Sequence, residues 1–488
     1  MKTVGRVLLA LGLAVIVLVA LVLVRTLTFR SAAAVAWLPM AEAPPMDADL
    51  AARHLSQAVK FQTVSHQNPA EDQVAAWEAQ RAFLETTYPK FHAAAKREVL
   101  AGGALLYTWP GTDTTLAPIV LMAHQDVVPV VEETRGLWTA DPFGGEIKDG
   151  AVWGRGSIDD KGSLIGLMEA AEALAASGFT PKRTIIIASG QDEEVGGTGA
   201  RTIAETLKGR GVKALFALDE GSALVTDFPL THKPQALIGI AEKGYATLAI
   251  TAKGAGGHSS APPHDTAAVT VARAVVAIAD HPFPLKLSGP SQAMLQALAP
   301  GLSFTARMAI ANQWLFGGLL NAQVGATDVG RSMLHTTIAP TMLSGSPKDN
   351  VLPSLATAHV NYRIAPGDTA TGVMARATSA VGNAPVTLSF AGVVHDPSPV
   401  SSTTSQGFRL VASAAHAMNG APVAPSLVTA ATDGRSMSII TDDVYRFQPI
   451  SFGLKDIEMI HGVNEHMKIS DLNAMAVFYA RLMKTAAG

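Results

Sequence analysis

The sequence predicts an α/β fold: a catalytic domain on a mostly parallel sheet, interrupted by an inserted α+β domain of split β-α-β, ferredoxin-like type. Three observations carry that expectation. Short apolar, β-branched runs alternate with helical stretches in the first half of the chain. A cluster of polar or acidic residues follows each run directly. A second rhythm of strands and helices then occupies residues 243–393.

The elements follow in order. Val7 to Val24 is a stretch of 18 residues without a charge, flanked by Lys2, Arg6, Arg25 and Arg30. A bilayer-crossing helix needs about 20 apolar residues and a signal-peptide core 7–15, so an uncleaved transmembrane anchor at 7–24 is expected. The small residues Ala32 to Ala36 are the alternative, a cleavage site far from the apolar core. The chosen orientation leaves a short tail inside and the catalytic domain outside the cytoplasm, periplasmic or extracellular. Residues 25–46, with Pro39, Pro44 and Pro45, read as a linker. Asp47 to Lys60 repeats apolar residues at helical spacing and opens the soluble part, whose catalytic domain is expected at 47–242 and 394–488.

Strands are expected at Ile119–Met122, Thr184–Ala188 and Leu215–Leu218, with a helix between the first two that sets Leu164, Ile165, Leu167, Met168, Ala171 and Leu174 on one face. His124-Gln125-Asp126, Asp192-Glu193-Glu194 and Asp219-Glu220 follow those strands. Ligands of open α/β sheets bind outside the carboxyl ends of the strands, so the three clusters should meet in one crevice. In the insert the expected order is strand Tyr245–Ala252, helix Asp265–Ala279, strands Thr336–Leu343 and Ala356–Ile364, helix Thr369–Ala380 and strand Val386–Phe390. An extra apolar segment, Pro282 to Gly330, with Trp314, Leu315 and Phe316, reads as ordinary packing or as a surface for greasy substrate or membrane.

Composition narrows the chemistry. With 488 residues, 48% hydrophobic and 16% charged, the chain is globular and long enough for two or three domains. A net charge of -3 and no long Lys/Arg run argue against nucleic acid as the partner and favour a small molecule or peptide. The absence of cysteine excludes disulfides, thiol catalysis and Cys-ligated metal, so any metal must be held by His, Asp and Glu.

The candidate ligands are of those types. In His124-x-Asp126 on extended backbone, alternate side chains share a face, and Asp126 can hold the non-ligating nitrogen of His124. Asp159, in Gly154–Gly162, stands ahead of a helix, where N-capping is the plain alternative. Adjacent carboxylates such as Glu193 and Glu194 repel unless a cation lies beside them; one can ligate while the other serves as general base. Asp219-Glu220 and His461 complete a set suited to zinc, manganese or cobalt, with Asp159 the candidate bridge between two ions. No G-x-S-x-G elbow and no P-loop occurs, which argues against a serine hydrolase and a nucleotide-binding protein.

The segments Ala123–Pro129, Gly154–Gly162, Asp192–Gly197, Leu218–Gly221, Gly257–Pro263 and Ile460–Glu465 together resemble the M20 metallopeptidase family. The branch they resemble holds the aminoacylases, carboxypeptidase S and the N-fatty-acyl-amino-acid synthase/hydrolases. The resemblance implies a zinc-dependent exopeptidase-like sheet with a lid or dimerisation insert, a homodimer through that insert, and hydrolysis or formation of amide bonds of N-acyl amino acids or small peptides. It implies two zinc ions, or cobalt or manganese, on His124, Asp159, Glu194, Asp219 or Glu220, and His461. Glu193 would be the general base, Asp126 the orienting group for His124, His258 an oxyanion stabiliser reaching across a dimer, Asn350 its partner, and Arg435 a clamp on the substrate carboxylate. The rival reading is a catalytically inactive membrane-tethered binding protein of the same fold.

Overall fold

The structure, a computed structural model, describes residues 2–29 and 36–488. Contacts divide the chain into two compact units, Met1–Ala34 with Lys243–Pro397 (the insert unit) and Val35–Glu242 with Ser398–Gly488 (the sheet unit). Helix α1 (Lys2–Leu27) opens the chain. Then come α2 (Ala48–Val59), β1 (Lys96–Val99), β2 (Leu105–Trp109), β3 (Ile119–Met122), α3 (Lys161–Ala176), β4 (Ile185–Ser189), α4 (Thr198–Gly209), β5 (Phe216–Asp219) and β6 (Lys233–Glu242). The insert unit continues with β7 (Gly244–Lys253), α5 (Ala267–Ala279), α6 (Gly289–Leu298), α7 (Phe304–Ala311), α8 (Gln313–Val324), α9 (Asp328–Ser332), β8 (Thr337–Ser344), β9 (Leu355–Ile364), α10 (Ala370–Val381) and β10 (Thr387–His395). The sheet unit closes with α11 (Gln406–Asn419), β11 (Val423–Val428), β12 (Val444–Arg446) and α12 (Ile469–Ala487).

The sheet unit is organised by a 10-stranded sheet with a parallel centre and antiparallel margins. Strand β3 runs parallel to β4 and β5, and β5 parallel to β12. β1 against β2, and β2 against β4, are antiparallel. Because side chains alternate along a strand, Ile119, Leu121, Ile185, Ile187, Phe216 and Leu218 enter one core while Val120, Met122, Ile186, Ala188 and Ala217 enter another. Helices α2, α3 and α12 cover the first side; α4 covers the second with Ala200, Ile203 and Leu207. Burial on both faces explains why these strands read as continuous apolar runs.

Two local readings differ from the sequence expectation. Helix α3 does not bury one stripe: from Lys161 to Met168 every residue is buried. Helices α2, α12 and Pro89–Ala94 all pack on it, so it is a core helix rather than a surface one. The segment read as a linker is held to the sheet unit from Trp37 onward. Trp37 stacks on His416 with ring centroids 4.1 Å apart, Leu38 N donates to Ser413 Oγ (2.9 Å), and Leu38, Met40, Ala43 and Met46 pack on the core. Of the small residues Ala32 to Ala36, only Ala36 lies within the described residues.

The insert unit forms a four-stranded antiparallel sheet in the order β8-β9-β7-β10, with α5 and α10 packed on it. Leu248, Ile250, Val271, Ile278, Val360, Tyr362 and Val373 form its core. The chain order β-α-β-β-α-β is that of the ferredoxin-like fold. The apolar segment between α5 and β8 folds as the helices α6 to α9.

Candidate active site

The acidic and imidazole clusters that follow β3, β4 and β5 converge past the carboxyl ends of those strands. His124 follows β3, Glu193 and Glu194 form a turn of 3-10 helix after β4, and Asp219 ends β5 with Glu220 next. The loop before α3 brings Asp159, and the loop before α12 brings His461.

Asp159 stands between the two histidines. Its Oδ1 lies 2.9 Å from His124 Nε2 and its Oδ2 3.2 Å from His461 Nε2; His461 Nε2 is also 3.1 Å from Glu194 Oε2. Ligand-type atoms gather into overlapping triads: His124, Asp159 and Glu220; Asp159, Glu194 and His461; and His124, Glu193 and Glu194, each within 4.8 Å. Two of these triads share Asp159. Its peptide bond to Asp160 is cis, and it is Asp160 that occupies the N-cap position of α3, with no side-chain cap bond. Capping therefore does not account for Asp159.

Surrounding groups hold these side chains in place. Asp126 Oδ1 lies 3.2 Å from His124 Nδ1, and its two oxygens accept the backbone N–H groups of Glu193 (3.1 Å) and Glu194 (3.2 Å). One buried carboxylate thus orients the histidine and fixes the acidic pair. Glu465, fully buried, does the same for the Asp159 loop: it accepts from Arg155 Nη1 (2.6 Å) and from the N–H groups of Gly156, Ile158 and Asp159 (3.0, 2.8 and 3.1 Å). His461, four residues earlier, adopts a positive φ of 60°, a strained conformation for a residue with a side chain. Of the acidic pair after β5, Glu220 joins His124 and Asp159, whereas Asp219 turns to the backbone N–H of Gly434.

The electrostatics are those of crowded anions. Burial and then the charges of Asp159, Asp160, Glu193 and Asp219 push Glu220 well above the usual carboxylate range. Burial pushes Glu193 well up too, reinforced by Asp433, Glu194 and Asp159 against the pull of His124. Glu194 is raised by burial and by Asp159, with His461 opposing. Burial opposes ionisation of Asp159, yet its hydrogen bonds to His124 and His461 keep it below its ordinary value. Hydrogen bonds to Asp159 and then to Glu194 raise His461 to about 10. Burial alone would lower His124, but Asp126 and Asp159 outweigh it and hold the ring well above its ordinary value.

A divalent cation fits this arrangement. Buried Glu194 Oε1 and both carboxylate oxygens of Asp433 have no hydrogen-bond partner among the described residues. Imidazole and carboxylate together are the donor set of zinc and its borderline neighbours.

Arg435 lies in the same unit, its Nη2 3.4 Å from Gly196 O in the turn after Glu193-Glu194. His258 and Asn350 belong to the insert unit, where His258 pairs with Val351 in a short two-stranded ribbon and Asn350 O accepts from Ser259 N (3.2 Å). Four contributors had no assigned role in the sequence reading: Glu465, Asp433, Asp160 and Gln448. Gln448 Nε2 donates to Asp160 Oδ1 (3.2 Å) and Ile158 O (2.7 Å), and Asp160 Oδ2 accepts from His124 N (3.2 Å). Glu465 and Asp160 lie inside the segments Ile460–Glu465 and Gly154–Gly162, and their burial is the signal that the sequence lacks.

Comparison with known proteins agrees with this geometry. Residues 120–485 match the Peptidase family M20/M25/M40. The chain belongs to that family. An N-fatty-acyl-amino acid synthase/hydrolase of Xenopus tropicalis is 33% identical, over 99% of this chain and 96% of its own length. A probable carboxypeptidase S-like protein of Dictyostelium discoideum is 33% identical over 90% of this chain and 85% of its own. The M20 metallo-carboxypeptidase of Sulfolobus solfataricus superposes with a TM-score of 0.66 at 17% identity, covering 90% of this chain and 99% of that one. Human carnosine dipeptidase 1 does so with a TM-score of 0.62 at 15% identity, covering 90% and 97%. M20 peptidases depend on a metal, typically zinc, and this member is a hydrolase with a metallocarboxypeptidase fold.

Proposed function

We propose that this M20 hydrolase is a membrane-anchored two-zinc amidohydrolase acting on the amide bond of N-acyl amino acids with a free carboxylate. The observation that carries this reading is Asp159, whose two oxygens face different histidines and which belongs to two ligand triads. One ion would rest on His124, Asp159 and Glu220, the other on Asp159, Glu194 and His461. When bound, the ions supply the positive charge that polarises the carbonyl and acidifies water.

The residues of the chain do the rest. Glu193, beside His124 and Glu194 but outside both of those triads, takes a proton from the attacking water. As the C–N bond breaks it returns that proton to the amine nitrogen, so the carboxylate ends as it began. Asp126 keeps His124 and the Glu193 backbone in register through both steps. Arg435 presents a guanidinium fork suited to the substrate carboxylate. Formation of the amide passes through the same transition state in reverse, so concentrations set the direction.

Likeness to the synthase/hydrolase of Xenopus tropicalis, over nearly the full length of both chains, favours acyl amino acids over dipeptides. Helix α1 is long and apolar enough to cross a membrane, a property a signal sequence shares. A panel of substrates on the full chain, varying acyl length and amino acid separately, tests the assignment. Chelator-sensitive, zinc-restored cleavage of long-chain N-acyl amino acids is expected; turnover of free dipeptides alone would replace it with a dipeptidase.

A further inference from the structure

We propose that the helices α6 to α9 form a platform seated in the phospholipid headgroup region beside α1, laying the outer face of α8 into the bilayer. The proposal rests on the reading of α1 as a membrane span.

Three observations point there. The first is a specific clasp between α1 and the insert helices. Among the residues of α1 whose burial is described, Val22 and Thr26 are buried, and they meet Asn312, itself 0% exposed. Asn312 Nδ2 donates to Val22 O (3.3 Å) and Thr26 Oγ1 (3.2 Å), while Arg25 Nε and Nη2 lie 3.4 Å from Ala311 O. Removal of α1 would leave the buried Asn312 amide without two of its acceptors, so the insert is built to keep the helix.

The second observation is the outer face of α8. Its exposed positions Trp314, Leu315, Gly318, Leu319, Ala322 and Gln323 recur at helical spacing and are uncharged, with Gln323 the one polar side chain among them and Trp314 55% and Leu319 62% exposed. On a helix facing water, that face should carry the charges. From Leu287 to Thr327, Arg307 is the only charged residue, and no acid occurs. Phe304, at the start of α7, is also exposed, with the Arg307 guanidinium 5.7 Å from its ring centroid.

The third observation sets the height. Arg25 is the first charge after the apolar run of α1, which places it where a span leaves the hydrocarbon. A cleft of about 380 Å³ is lined by Arg25, Thr28, Gln292, Gln296 and Trp314. Trp314 and Arg25 therefore share one level, and a tryptophan beside an arginine with apolar neighbours is the composition of the membrane interface. Helix α1 packs on α7, the helix that leads into α8, and Arg25 and Trp314 line one cleft, which selects lipid over a soluble partner. A platform of this kind holds the protein where an amphiphilic substrate partitions.

The chain contains no cysteine, so single-site labelling is clean. Leu319→Cys and Leu315→Cys, each bearing an environment-sensitive fluorophore, would be read in the full chain reconstituted in phosphatidylcholine/phosphatidylglycerol vesicles with and without brominated acyl chains. Leu13→Cys reports the span independently, and Asn383→Cys in the turn after α10 is the aqueous control. Quenching of the labels at 315 and 319 by about twofold or more, with none at 383, is expected for side chains at the acyl boundary. Quenching at 13 with labels at 315 and 319 as open to an aqueous quencher as that at 383 would overturn the platform while leaving the anchor intact. Shielding of 315 and 319 from both quenchers would show a second copy of the chain covering this face and would equally overturn it. No quenching at 13 would remove the anchor and the platform together.

Discussion

Under the proposed function, Glu193 is the residue whose isosteric change separates binding from chemistry. Glu193→Gln keeps the shape of the crevice and leaves both Asp159-sharing triads intact, but cannot accept a proton. The expected result is near-normal metal content by elemental analysis, with kcat lowered by roughly 10²–10⁴-fold. Glu465 acts through others, since its carboxylate receives four donors from the Asp159 loop and touches neither histidine. Glu465→Gln is expected to weaken metal affinity by about 10–100-fold, measured by competition with a chelator, while kcat of the fully loaded enzyme changes little. His124, Asp159, Glu193, Glu194 and His461 were legible because imidazoles and acids followed apolar runs or stood in glycine-marked loops. Glu465 was not, because a buried carboxylate that supports a loop looks in sequence like any solvated one, and Asp433 was not, because nothing local in the sequence marks its burial.

Between residue and fold stand the elements. Strands β3, β4 and β5 and all six elements of the ferredoxin-like sheet lie within three residues of their expected bounds except β10, which runs on to His395. Its extension is a feature of pairing: a bulge near Tyr245 lets β10 follow β7 further than the apolar run indicates. Helix α3 was misread as amphipathic because its neighbours α2 and α12 are distant in sequence and their apolar faces close around it. The junction of β6 and β12 rests on a buried ion pair, Arg446 Nε to Glu242 Oε2 at 3.1 Å, and the same oxygen accepts from Thr432 N (3.1 Å) and Oγ1 (2.9 Å). Arg446→Met leaves that carboxylate buried without its cation. The expected cost in unfolding free energy is about 3–5 kcal/mol by denaturant titration. A loss under about 1 kcal/mol would mean that the threonine alone satisfies Glu242.

For the whole molecule, the crowding of anions makes stability depend on metal and pH together. Glu193, Glu194, Glu220 and Asp433 have their carboxyl pKa values raised in the fold, so the metal-free protein loses stability as pH rises above the unfolded values, 4.5 for the glutamates and 3.8 for the aspartate. His461, raised to about 10 from 6.5, contributes stability that is complete below 6.5 and lost as pH rises through 10. Both trends have the same sign. Lys161 and Lys243, lowered by burial to about 7 and about 8, act with the opposite sign above pH 7, so thermal unfolding of the metal-free chain should shift downward between roughly pH 5 and pH 7, and added zinc should oppose the shift. Uptake of zinc near neutral pH should release the His461 proton, seen as a dependence of calorimetric heat on the ionisation enthalpy of the buffer; heat independent of buffer would refute the assignment. At this scale the sequence indicated an inserted unit and a meeting of acids and imidazoles past the strand ends. It did not disclose that the segment after α1 packs on the sheet unit, or that Pro282 to Gly330 folds into helices clasping α1, because both depend on partners far along the chain.

The claim on which the rest depends is that two cations share Asp159. Elemental analysis of purified, active full chain, carried out beside Asp159→Asn, tests it most directly. Two zinc-class ions per chain in the wild type, with metal content and activity both lost in Asp159→Asn, is the expected result. Full activity with one ion or none per chain, or a variant that keeps both ions and its turnover, would contradict it.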